Sequence, residues 1–221
     1  MLMIMLRFVC ALLAISSAAL GFQQDSERDK DVYAIYSLLL TNLRTSHGAY
    51  EGDRYLIAAA TGPAHPQEPC VRAPRQREED FREMLADYQR RRAAPRELKP
   101  EFKVDKPYVF LSSEDVAAFV ADRLPRPGRT PDQADGRFRG VSDLITLADV
   151  YFNRRGTLAL TAISTWCGPV CALHQWKTFE KLEAGGWREQ EWVTCATIAE
   201  RRAGKPGLSA AAGEPPVILG H

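Results

Sequence analysis

Thr157-Leu158-Ala159-Leu160-Thr161-Ala162-Ile163-Ser164-Thr165-Trp166-Cys167-Gly168-Pro169-Val170-Cys171 is the run whose reading decides the fold. Leu158 to Trp166 reads as a strand, and Cys167 to Cys171 as a tight turn bracketed by cysteines. Upstream, Asn153-Arg154-Arg155-Gly156-Thr157 has hairpin turn chemistry, with Gly156 available for positive φ, and separates this strand from one expected at 147–152. Downstream, Ala184-Gly185-Gly186 separates strands expected at 179–183 and 187–194. All four tryptophans fall between Thr157 and Cys195, so the chain concentrates its largest side chains, and its burial, in this region.

Outward from this region, the amino-terminal half reads as helices and short strands. Val32, Ile35, Tyr36, Leu39, Leu40 and Leu43 recur at helical spacing and predict an amphipathic helix over 27–44, with Asp29 and Asp31 near its positive end. Tyr55 to Ala60 reads as a short buried strand, and 61–74 as a proline-rich loop pinned by Cys70. The charged stretch 76–92 carries Phe81, Leu85 and Tyr88 on one face, which suits a surface helix. Tyr108 to Leu111 is a strand candidate, and Ser112 with Asp115 has the spacing of a capping box opening a helix over 116–123. Residues 124–140 lack periodicity and read as a surface loop. The expected fold is α+β, with two or three helices packed on one face of a curved, mostly antiparallel sheet.

The first 21 residues read as a secretory signal peptide: one early Arg7, an apolar run from Phe8 to Ala19 too short to span a bilayer, and small residues where cleavage would fall. Residues 22–200 then form a single domain, followed by a disordered tail over 201–221 rich in Gly, Ala and Pro. The expected location is secreted or periplasmic, with no membrane span in the mature chain. Removal of the leader takes Cys10 and Arg7, leaving Cys70, Cys167, Cys171 and Cys195 and a formal charge near zero. An even cysteine count behind a leader argues for two disulfides. Of three pairings, Cys167–Cys171 with Cys70–Cys195 is preferred. The absence of a basic excess argues against a nucleic-acid partner.

One further pattern joins these pieces. Asp149-Val150-Tyr151-Phe152-Asn153, then Gly156 to Leu160, Cys167 to Cys171, Phe179-Glu180-Lys181 and Gly186-Trp187 resembles a loosely defined group of secreted or lipoprotein-type bacterial proteins of uncharacterised function. The chain departs from that group at Ala148, where Ser is usual, at Thr161-Ala162 and at Ala172. The resemblance implies a strand on each side of the cysteine turn and brings no catalytic residue with it.

Trp166-Cys167-Gly168-Pro169 also invites comparison with thioredoxin, whose attacking cysteine sits at a helix amino terminus. Three residues separate Cys167 from Cys171 where that motif has two, although Leu173, Trp176, Phe179 and Leu182 could line a helix after the turn. Thiol–disulfide exchange through Cys167 and Cys171 therefore stands as the alternative function. A zinc set of Cys167, Cys171, His174 and Cys195 lacks a familiar spacing, so no metal is expected. No nucleophile elbow, phosphate-binding glycine loop or His-Glu-x-x-His helix occurs, and neither a cofactor nor a catalytic residue is assigned. The leading expectation is a non-enzymatic, disulfide-braced protein with a binding or envelope-associated role. A small-molecule-binding enzyme with a pocket in the curved sheet is the second alternative.

Overall fold

A computed structural model describes residues 26–43, 53–62, 69–124, 136–138, 140–141, 143–169 and 171–194. The expected signal peptide at 1–21 and tail at 201–221 lie outside these residues. The described chain is α+β. Helix α1 covers 26–41, α2 is Glu78–Arg91 and α3 is Ser113–Arg123. Strands β1 (Tyr55–Ala58), β3 (Tyr108–Leu111), β4 (Leu144–Leu147), β5 (Tyr151–Phe152), β6 (Leu158–Gly168), β7 (Cys171–Lys181) and β8 (Trp187–Gln190) form one seven-stranded sheet. Its order is β3-β1-β4-β6-β7-β8, with β5 also paired to β6. A separate two-stranded sheet joins β2 (Val71–Arg72) to β9 (Val193–Thr194).

The sheet is mixed. β1 runs parallel to both β3 and β4, while every pairing from β4 to β8 is antiparallel. The long β6–β7 hairpin is its spine. Along β6 the side chains alternate between two cores, Ala159 and Ile163 on one face and Leu158, Leu160 and Ala162 on the other. Burial on both faces explains why 158–163 is apolar except for the buried Thr161, rather than alternating.

The helices occupy both faces, which corrects the expectation that they share one. Helix α1 presses Val32, Ile35, Tyr36 and Leu39 onto Ile57, Ile145 and Phe179 on the first face. On the opposite face α2 packs Met84 and Tyr88 against Leu160 and Trp176, and α3 packs Phe119 against Leu56 and Leu144. Two apolar faces on one sheet require a layer on each side. Ser112 accepts the Asp115 N–H at 3.1 Å, so the capping box opens α3 as the sequence predicted.

Three element boundaries differ from expectation. The strand expected at 147–152 is broken at 148–150, where the chain turns from β4 to β5. A helix after the cysteine turn is replaced by β7, whose residues pair with β6 one for one from Leu173 to Glu180. The 3.6-residue apolar spacing there is incidental: Leu173 and Phe179 lie on one face of the strand and Trp176 on the other. Finally, β2 and β9 were not expected as a pair, since two-residue strands leave no periodic signal.

Candidate functional site

Cys167 lies in the last turn of β6, where the ladder shifts register between Trp166 and Gly168. Gly168 takes φ 144° there, a value that favours glycine. Cys167 and Cys70 are each half of a disulfide. The Cys171 side chain and all of Cys195 lie outside the described residues. The turn is therefore a hairpin tip and not a helix amino terminus. Thiolate stabilisation by a helix dipole, on which thioredoxin-type reactivity depends, has no counterpart in this setting. His174, weighed above as a metal ligand, instead places Nδ1 2.6 Å from the Ser164 hydroxyl of the facing β6 residue. Its ring also meets Trp176 edge-on. Among the described residues no three His, Cys, Asp or Glu side chains converge in a way that could hold a metal.

A concave feature lies beside α1. A groove of about 670 Å³ runs along the outward side of the helix, with Lys30, Ala34 and Leu38 on its helical wall. Tyr33, Lys103 and Trp187 also line it. The stripe Lys30, Ala34, Leu38, Thr41 follows from helical spacing, and the half-buried Ala34 and Leu38 pack at the edge of the core and leave part of their apolar surface in the groove. Trp187 is held in place by its indole N–H, which donates to Asp31 at 2.9 Å. Ser37 is fixed twice, donating to the Tyr33 carbonyl at 2.7 Å and accepting the Lys103 N–H at 2.9 Å. The groove lies outside the sheet, not in its curvature where a pocket was expected.

A second concentration of polar groups sits where α1, α2 and the β4–β5 corner meet. Asp149 is buried and receives Arg91, and Arg96 at 3.1 Å. Asp87, also buried, receives Arg28 at 2.7 Å, Arg91 at 2.9 Å and the Phe152 N–H at 3.0 Å. Burial pushes the Asp87 carboxyl up, but the Phe152 N–H and the guanidiniums of Arg91 and Arg28 outweigh it and hold the group below the usual carboxylate range. Arg96 continues the chain of charges to Asp29 at 2.5 Å. Burial works against the Arg96 charge, yet Asp149 and Asp29 more than offset it. The cluster joins the layers on the two sheet faces, tying α1 through Arg28 and Asp29 to α2 and to the β4–β5 corner.

Sequence reasoning found the cysteines and the helix that bears the groove, but neither the groove nor the junction. The available signal for the groove was the pair Ala34 and Leu38, apolar residues that widen the core-facing stripe at its edge. The other wall is contributed by Lys103 and Trp187, about 70 and 150 residues away in sequence, and no periodicity connects them. No protein-family model, no curated protein and no solved structure matches the chain.

Proposed function

We propose that this chain is a secreted, disulfide-braced binding protein with an envelope-associated role, and that it binds through the groove along α1. The groove carries this reading. Its volume of about 670 Å³ falls inside the range of roughly 300–1,000 Å³ typical of small-molecule sites. Its half-buried apolar residues Ala34 and Leu38 stand on a helix anchored in the core. The leader-like first 21 residues and the half-cystines at Cys70 and Cys167 support an oxidising compartment.

For the second cysteine pair, β2 and β9 set Val71 against Thr194 and Arg72 against Val193. Cys70 immediately precedes β2 in the sequence and Cys195 immediately follows β9, which supports Cys70–Cys195. The tight hairpin supports Cys167–Cys171 in the same way. Thiol–disulfide exchange through Cys167 and Cys171 remains the competing reading.

Titration of the oxidised protein with anilinonaphthalene sulfonate, an apolar fluorescent probe, tests the proposal. One saturable site is expected, abolished by Ala34→Trp with Tm unchanged. Failure of the wild-type protein to bind the probe would overturn the groove reading. Rapid alkylation of Cys167 near neutral pH would favour the exchange reading instead.

A further inference from the structure

We infer that the groove takes a single-chain amphiphile with a zwitterionic head, its tail along α1 and its head between Glu101 and Lys103. This rests on the binding reading above and specifies its ligand.

The tail assignment follows from how the groove's own polar atoms are spent. The Thr41 hydroxyl donates back to the Ser37 carbonyl at 2.8 Å, and Ser37 is satisfied on both sides by Tyr33 and Lys103 backbone groups. The Tyr33 hydroxyl accepts the Lys99 N–H at 2.7 Å, and the Trp187 indole is committed to Asp31. A ligand placing polar atoms along this floor would find little beyond the Tyr33 O–H and the Thr41 oxygen to replace the water it gives up, whereas methylenes lose nothing. From Lys30 to Thr41 the helix rises about 16 Å, long enough for an extended chain rather than a compact ring.

The head assignment follows from the charges at the mouth. Lys30 is already engaged with Glu27 at 2.7 Å. Glu101 and Lys103 both line the groove and are exposed, and neither forms an ion pair among the described residues. They stand two residues apart with opposite sign. A simple anion would be drawn to Lys103 and repelled by Glu101, and a simple cation the reverse. A head bearing both charges meets a favourable partner at each end.

The test uses the full chain exported and oxidised, kept free of detergent, with three probes of equal tail length below their micellar thresholds. Dodecylphosphocholine should bind about tenfold more tightly than dodecanoate or dodecyltrimethylammonium. Lys103→Gln should move the preference toward the ammonium probe, and Glu101→Gln toward the carboxylate. A purely structural role for these two exposed side chains would not produce opposite shifts. Thr41→Trp, at an exposed position of the groove, should weaken all three by about tenfold or more and serves as the blocking variant should Ala34→Trp fold poorly. Equal affinity for the three probes, unmoved by Lys103→Gln and Glu101→Gln, would overturn the head assignment and leave the groove standing. Failure of all three while anilinonaphthalene sulfonate still binds would overturn the amphiphile. Failure of that dye as well would take the binding reading with it.

Discussion

The two ends of the β6–β7 hairpin are held by opposite means. At the base, Asn153 sits buried in the turn that leads into β6 and accepts the N–H groups of Thr157 at 2.9 Å and Leu158 at 3.0 Å through one side-chain oxygen. Its amide nitrogen donates to Asp80 of α2 at 2.8 Å, so the turn is tied to the helix that covers it. Asp80 also receives Arg155 at 2.8 Å, and Arg77 reaches from the start of α2 to Glu180 on β7. At the tip no comparable network is seen among the described residues, and the half-cystine Cys167 stands there instead, with the proposed Cys167–Cys171 bridge as its covalent closure. A buried end can be fixed by oriented polar groups, because low local dielectric makes each satisfied bond count. An end in water loses that advantage and needs a bond that solvent cannot compete for.

That contrast predicts different vulnerabilities for the two ends. The largest effect is expected at the junction behind the base. Asp87→Ala removes a buried carboxylate from between Arg28 and Arg91 and leaves the Phe152 N–H without its acceptor, which should cost about 3–5 kcal/mol in urea unfolding. A smaller loss, about 3 kcal/mol, is expected for Asn153→Ala by the same measurement, with the m-value unchanged.

Acid should reach the base selectively. Asp80 is pushed up by burial and pulled down more strongly by Arg155 and Asn153, so it is lowered overall, as Asp87 is. Both therefore favour the ionised native form. Their stabilisation is complete above the ordinary carboxylate pKa of about 3.9 and is lost as pH falls through the lower folded values. A stability profile from pH 6 to about pH 2 should fall at its acid end, and the fall should shrink in Asn153→Ala. A profile flat to the acid limit would break the comparison at its base.

The smallest effect belongs to the tip. Cys167→Ser with Cys171→Ser removes the proposed tip bridge, which closes a loop of only a few residues, and should cost about 2 kcal/mol in urea unfolding, without moving the acid limb. A larger loss on reducing the protein, retained in that double variant, would assign the difference to Cys70 and its clasp at β2 and β9.

The two ends were not equally legible in the sequence. The tip announced itself, because cysteines around a Gly-Pro bend are informative wherever they fold. At the base only the turn was visible. Asn153 followed by Arg154, Arg155 and Gly156 reads as turn chemistry, but nothing in it reports that Asp80, some 70 residues earlier, would meet the same amide. Nothing beside Asp87 or Asp149 in the sequence reports their burial, for the same reason: burial of a charge depends on which arginines arrive beside it. The apolar spacing over Leu173 to Leu182 misled in the other direction. It suits a helix locally, and the pairing of ten residues with β6 overrode it.

The sequence by itself determined the α+β class, the places of the three helices in the chain, the α3 cap and the hairpin around Asn153 and Gly156, since these depend on neighbours within a few residues. Only the tertiary structure decided that α1 faces one side of the sheet while α2 and α3 face the other, that β1 runs parallel to two neighbours, and that Asp29, Asp87 and Asp149 share a network of arginines. It alone decided that Ala34 and Leu38 meet Lys103 and Trp187 around one groove. Local propensity is set by short-range sterics and hydrogen bonding. A site is set by which distant segments compete for the same buried surface, and that competition is resolved only when the whole chain has packed.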